Sequence, residues 1–202
     1  MEVYLIGAGG HSKQVIDILI ENGYNIIGAF DNFKKGIFYR DIKVLGTIKE
    51  IINIAPSNSN LFITFGDNNY RQEIYNNYKS IYKFINCISR RSTISSTCKL
   101  GYGNYIGNYS KLGEDCLIGN FNIFNEGCII GHDNIIGDFN HFSLNSSLGG
   151  NIIVGNLNLF GINSSVIPKI KVYDNNIIGA NSLVIKNINF NTTNVGVPTK
   201  II

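Results

Sequence analysis

From Ile94 to Val184 every sixth residue is apolar, and no insertion interrupts the count. The positions are Ile94, Leu100, Ile106, Leu112, Ile118, Phe124, Ile130, Ile136, Phe142, Leu148, Val154, Phe160, Val166, Val172, Ile178 and Val184. Ten of these sixteen are followed by glycine. A strand alternates every residue and a helix turns every 3.6, so neither alone turns each sixth side chain inward. A coil of short strands joined by tight corners does, and period six is that of the hexapeptide β-helix. With three such sides per turn, vertical neighbours stand 18 residues apart in sequence and about 4.7 Å apart in space.

The fourth residue after each inward one is small or Asn at thirteen of fifteen places, among them Cys98, Asn104, Cys116, Asn122, Cys128 and Asn140. These types suit a crowded or left-handed corner, and the glycines help the backbone bend. Three of the four cysteines fall on this phase and Cys87 precedes the repeat; their spacing matches no zinc pattern, so they read as small packed residues.

The repeat occupies only the second half of the 202 residues. Ahead of it, Val3 to Ile6 forms a strand, Gly7-Ala8-Gly9-Gly10-His11-Ser12 a glycine turn, Gln14 to Leu19 an amphipathic helix, and Ile26 to Phe30 a second strand closed by Asp31-Asn32. This is a βαβ unit with free N–H groups at the helix start, where a phosphate is favoured. Ser12 stands where a nicotinamide fingerprint has its third glycine, so a dehydrogenase reading is weak.

Val44 to Thr47, a helix near Ile48 to Ile54, a strand Leu61 to Phe65, a polar helix from Tyr70 to Asn77 and a last strand Phe84 to Ile88 complete a small parallel α/β, Rossmann-like domain over residues 1–88. The loops at its carboxyl edge hold Gly9, Gly10 and His11, then Asp31 and Asn32, then Gly66, either as a ligand cradle or as plain turn residues. Residues 89–202 make the second domain, the coil with an extended tail.

Charged residues are 15% of the chain and the net charge is +3, too mild to favour nucleic acid or an anionic membrane. Strand-like residues follow Met1-Glu2 at once, so neither a signal peptide nor a membrane span is expected, and the protein is expected in the cytoplasm.

Two of the three histidines lie inside the repeat. His132 stands at an outward phase beside Asp133. An adjacent carboxylate holds one imidazole nitrogen protonated and leaves the other free to accept a proton, as a general base requires. On its own such a pair is an ordinary surface feature. One coil later comes Gly150, a bare backbone beside the imidazole with an N–H for a developing oxyanion. Gly149-Gly150-Asn151 also breaks the even texture of the repeat, and His141 follows nine residues after His132.

At these residues the chain resembles the sialic-acid O-acetyltransferase-like family of bacterial sugar acetyltransferases, and most of all its members that N-acetylate nucleotide-linked 4-amino-4,6-dideoxy sugars for surface glycans such as lipopolysaccharide O-antigen. The resemblance rests on Leu5-Ile6-Gly7-Ala8-Gly9-Gly10-His11, Phe65-Gly66-Asp67-Asn68, Asn125 to Asp133, Ile136 to His141, Phe160 to Ser164 and Val195 to Pro198. It implies a left-handed parallel β-helix and a homotrimer with active sites between subunits. It implies acetyl-CoA as co-substrate, no metal, and a UDP- or dTDP-linked amino sugar as acceptor. His132 becomes the base and Asp133 its orienting partner; Asn125, His141, Gly150, Gly161, Ile162 and Ala180 contact acetyl-CoA; Gly9, Gly10, His11, Asp31, Asn32 and Gly66 hold the nucleotide sugar. The family's His-Pro-Ser-Ala before the coil reads Ser89-Arg90-Arg91-Ser92 here, and its Gly-x-Pro-Ala-Lys ending reads Gly196-Val197-Pro198-Thr199-Lys200. Two rivals remain: the same fold acetylating a hydroxyl, as on a sialic acid, and a non-catalytic trimeric β-helix that binds without chemistry.

Overall fold

The computed structural model describes residues 1–202 and divides into two compact units, Met1–Ile88 and Ser89–Ile202. The first is a mixed α/β layer. Its strands and helices are β1 (Glu2–Ile6), α1 (Gly10–Glu21), β2 (Asn25–Phe30), β3 (Gly36–Tyr39), β4 (Ile42–Gly46), α2 (Ile51–Ile54), β5 (Asn60–Ile63), α3 (Asn68–Tyr78) and β6 (Lys83–Phe84). The sheet order is β3-β4-β2-β1-β5-β6. β1 is central, paired parallel with β2 on one side and β5 on the other, so the chain reverses direction across the sheet at β1 and β5. α1 buries Val15, Ile16, Ile18 and Leu19, and with Leu5, Ile6 and Phe62 they make the core.

Two details depart from the sequence reading. β3 is an antiparallel edge strand on an otherwise parallel sheet, joined to β4 through Arg40 and Asp41. Both turn residues are left-handed, at φ 45° and 61°, the geometry of a type I′ hairpin. That turn favours Asn-Gly, and Arg-Asp gives no such signal. The expected strand Phe84 to Ile88 is also broken: Lys83–Phe84 pairs with β5, and Ile85 and Asn86 separate it from Cys87–Ile88.

The second unit is a left-handed parallel β-helix of two-residue strands. Each coil contributes one strand to each of three faces, and equivalent strands pair in register 18 residues apart, as Ile123↔His141 and Phe124↔Phe142 show. Fourteen of the sixteen period-six residues are buried; Ile94 and Leu100, in the first coils, are half-buried. Phe124, Phe142 and Phe160 stack with centroids 4.8 and 4.6 Å apart, a continuous aromatic column inside the prism.

The corner residues divide their work differently from expectation. The left-handed residue is the third after the inward one: Tyr109, Asp115, Phe121, Asp133, Phe139, Asn145, Asn151 and their successors have φ between 55° and 67°. The fourth is tucked inside the corner and is small because it is enclosed. Along one inner edge it is Asn104, Asn122, Asn140, Asn158 and Asn176, and each Oδ1 accepts the backbone N–H of the next at 2.8–2.9 Å. These buried donors and acceptors are satisfied by translation of one bond pattern. The glycines after the inward residues do not serve bending either. Their φ is not positive, and a Cβ on Gly119 would lie 2.6 Å from the Gly137 carbonyl of the next coil. Close approach of coils, not curvature, requires them.

The tail is extended, as expected. Thr193–Val195 adds in parallel beside Ile177–Ile178, and Lys200–Ile201 returns antiparallel along it. No helix of the chain is long and apolar enough to cross a membrane.

Candidate active site

His132 follows strand Ile129–Ile130 at the corner that leads to Ile135–Ile136. Asp133 occupies the left-handed corner position, φ 58°, which Asp tolerates better than most residues. Its N–H is held by the Glu114 carbonyl at 2.8 Å, and its Oδ2 lies 2.6 Å from His132 Nδ1. With the carboxylate accepting from Nδ1–H, the Nε2 lone pair is free to take a proton. The imidazole is 60% exposed, so a reacting group has access to it.

Gly150 stands one coil above. The coil is regular there, with Asn151 N–H donating to the His132 carbonyl at 3.0 Å, so the two glycines do not break the repeat. What Gly150 supplies is space: a Cβ at that position would lie 2.6 Å from both Cε1 and Nε2 of His132. Only glycine lets the ring come that close to the neighbouring coil.

Asn125 and His141 form a second cluster. Asn125 Nδ2 and His141 Nε2 are 2.9 Å apart. Gly161 is two coils above Asn125, and Ile162 one below Ala180, so Asn125, Gly161, Ile162 and Ala180 mark one outer edge of the prism, with His141 opening a strand of the adjoining face. A Cβ on Gly161 would sit 2.5 Å from the Ala180 nitrogen. His132, Asp133 and Gly150 mark a different edge. Within one chain the two groups are not brought together.

In the α/β unit Gly9 and Gly10 open α1 with no side-chain cap, and a Cβ on either would meet nothing within 4 Å, so clear space faces the helix N-terminus. His11 lies beside Gln14, its Nδ1 3.4 Å from Oε1. Burial, aided by the charge of Arg71, lowers its pKa to about 4 and holds the ring neutral near pH 7.

Asp31 is buried and its carboxylate faces backbone: Oδ2 accepts from Ala8 N–H, and Oδ1 from Phe33 and Lys34 N–H, all at 2.8–3.0 Å. It ties together the loops after β1 and β2. Asn32 Oδ1 accepts the Ile48 N–H at 3.1 Å. Gly66 presents its carbonyl to Arg71 Nη1 at 2.9 Å.

Arg71 is a residue the sequence reading passed over. It is fully buried beneath the loop after β5, bonded also to the Phe65 carbonyl and to Asn68 Oδ1, and burial lowers its pKa to about 9. A cation in the buried phase of α3, one turn from its Asp67 cap, was the available signal.

Residues 2–78 match the PglD N-terminal domain family. A stretch of 108 residues is 46% identical to protein L142 of Acanthamoeba polyphaga mimivirus; it is 54% of this chain and 21% of that protein, so the chain spans about a fifth of the relative's length. PerB of Caulobacter crescentus, solved in complex with CoA and GDP-perosamine, is 27% identical over 100% of this chain and 97% of that one, with a TM-score of 0.92. The acetyltransferase domain of PglB from Neisseria gonorrhoeae FA1090, solved with acetyl coenzyme A, shares the fold at 24% identity over 100% and 98% of the two chains, TM-score 0.94. The coil, the glycine-turn domain and these likenesses together support the hexapeptide-repeat sugar acetyltransferase family as the one this chain is similar to.

Proposed function

We propose that the chain is an acetyl-CoA-dependent sugar N-acetyltransferase that acylates the C4 amine of a UDP- or dTDP-linked 4-amino-4,6-dideoxy sugar. The observation that carries the reading is the His132 pair: an imidazole with Nδ1 tied to Asp133 at 2.6 Å and Nε2 lying over the bare backbone of Gly150. The complex of PerB with CoA and GDP-perosamine supports the substrate class. Clear space before Gly9 and Gly10 suits a diphosphate at the start of α1, with His11, Asp31, Asn32 and Gly66 shaping the cradle.

The transfer is direct. The amine nitrogen attacks the thioester carbonyl carbon and forms the C–N bond; His132 Nε2 takes the amine proton; the Gly150 N–H meets the tetrahedral oxyanion; the C–S bond breaks and the proton passes to the departing CoA sulfur. Asn125, His141, Gly161, Ile162 and Ala180 position acetyl-CoA along their own edge. Because that edge and the His132 edge are separate on one chain, the site is completed in a homotrimer, where one subunit's base edge faces its neighbour's acetyl-CoA edge. A positioned base contributes about 10²- to 10⁴-fold in rate.

The test is thiol release from acetyl-CoA with UDP-, dTDP- and GDP-linked 4-amino sugars. His132→Ala is expected to lower kcat by that factor with acetyl-CoA affinity nearly unchanged. Full activity in the variant sinks the base assignment. Gly150→Ala, which forces the ring aside, is expected to lower kcat by about tenfold or more through misplacement alone. If it does not, the imidazole is not held against that backbone.

A further inference from the structure

Glu114 precedes His132 by 18 residues, so it stands one coil below the imidazole, in the outward column whose next member above is Gly150. Its carbonyl accepts the Asp133 N–H at 2.8 Å, which ties the two coils together at that place. Its side chain is exposed and enters no ion pair or hydrogen bond within the chain. The two neighbouring carboxylates are placed differently. Asp133 commits Oδ2 to His132 Nδ1, and Asp115 stands beneath Asp133 in the left-handed column, on the Nδ1 side of the ring. Resting on the acetyltransferase reading above, we propose that Glu114 is a specificity-determining residue: it takes a second N–H of the acceptor and so selects an amine over a hydroxyl.

The spacing of two acceptors carries the argument. Successive coils lie about 4.7 Å apart. A nitrogen that donates at about 2.9 Å to each of two acceptors spans about 5 Å between them. His132 Nε2 and the Glu114 carboxylate, one coil apart in one column, offer such a pair. The ring rests against Gly150 above and is 60% exposed, so an acceptor nitrogen can enter beside it.

A primary amine has two N–H bonds and one lone pair. One N–H goes to Nε2 and is the proton transferred in the reaction. The lone pair meets the thioester carbonyl carbon, and the second N–H goes to Glu114 and stays behind as the N–H of the amide product. A hydroxyl has a single O–H. Once that is given to Nε2, the oxygen turns only lone pairs toward Glu114, and two acceptors face each other. A hydrogen bond to a charged group at a site open to solvent lies at the low end of its range and decides about tenfold in affinity.

Calorimetric titration of the intact protein with the nucleotide-linked 4-amino sugar that it turns over, and with the 4-hydroxy counterpart of that sugar, tests this. The wild type is expected to bind the amine at least about tenfold more tightly. Glu114→Ala should remove the preference and lower kcat/KM for the amine about tenfold, with the acetyl-CoA KM unmoved. Glu114→Gln, which keeps an acceptor oxygen of the same reach without the charge, should retain part of the preference. Equal affinities for the two sugars in the wild type, or an unchanged ratio in a Glu114→Ala protein that still binds acetyl-CoA, overturns the role of Glu114 and leaves the acetyltransferase reading standing. If the wild type releases no thiol from acetyl-CoA with any 4-amino sugar, that reading falls and takes the role of Glu114 with it.

Discussion

The two units place their candidate site residues by opposite means. In the coil, location follows from translation: Gly150 lies over His132 because it comes 18 residues later, and the same offset relates Ile162 to Ala180. In the α/β unit no rule of that kind operates. Asp31 holds two loops through three backbone bonds and Arg71 fixes a third through two carbonyls and an amide, each a single arrangement that nothing repeats. A repeat spreads its support over many equivalent contacts, so damage to it is a packing loss of predictable size. A singular network concentrates its support, and its weak point is electrostatic.

Phe142→Ala breaks the first kind of order most severely. The ring is wholly buried between Phe124 and Phe160, and its loss removes two stacked contacts and leaves a void the rigid coils cannot close. A loss of about 3–5 kcal/mol is expected from chemical denaturation. A loss below about 1 kcal/mol would mean that neighbouring coils collapse into the gap and that the column is not rigid.

Asn140→Ala is the polar counterpart and a smaller blow. Asn140 Oδ1 accepts from both the N–H and the side-chain amide of Asn158, at 2.9 and 3.0 Å, in an edge with no exposure. Removing that acceptor strands a buried donor, about 2–3 kcal/mol. Hydrogen exchange at the Asn158 amide should quicken more than at amides two coils away; uniform change along the coil would show that the ladder melts as one piece rather than rung by rung.

The same contrast governs what the sequence discloses. Period six announces the coil and its inward residues, because the spacing of Ile106, Leu112 and Ile118 is itself the geometry. It does not separate the left-handed residue from the enclosed one: Asp133 and Asn134 are adjacent and both polar, and only the backbone shows that Asp133 carries the positive φ. Phe121 and Phe139 hide the rule further, since they sit left-handed and buried, stacked 5.0 Å apart, where composition suggests Gly or Asn. His132, Asp133 and Gly150 were legible as a group for the same translational reason. The roles of Asp31 and Arg71 were not, because a carboxylate that binds ligand and one that binds its own backbone have the same letter. The edge hairpin escaped notice because Arg40 and Asp41 take on a turn that usually advertises itself with glycine.

The smallest predicted effect belongs to the singular network and depends on pH. His11 has its pKa lowered to about 4, chiefly by burial and also by the Arg71 charge. In the unfolded chain the same imidazole titrates near 6.5. Between those values the unfolded state binds a proton that the folded state refuses, so stability is complete above about pH 6.5 and falls as the pH drops toward 4. The ring is only half-buried, so the loss is about 1–2 kcal/mol, less than the full shift converts to. Amide protection in β1 and α1 should decline over that window in the wild type and stay level in His11→Gln, with the coil amides indifferent in both. Were the glutamine variant to decline as steeply, the acid sensitivity would belong to other groups, and the half-buried imidazole would be no weak point of the network.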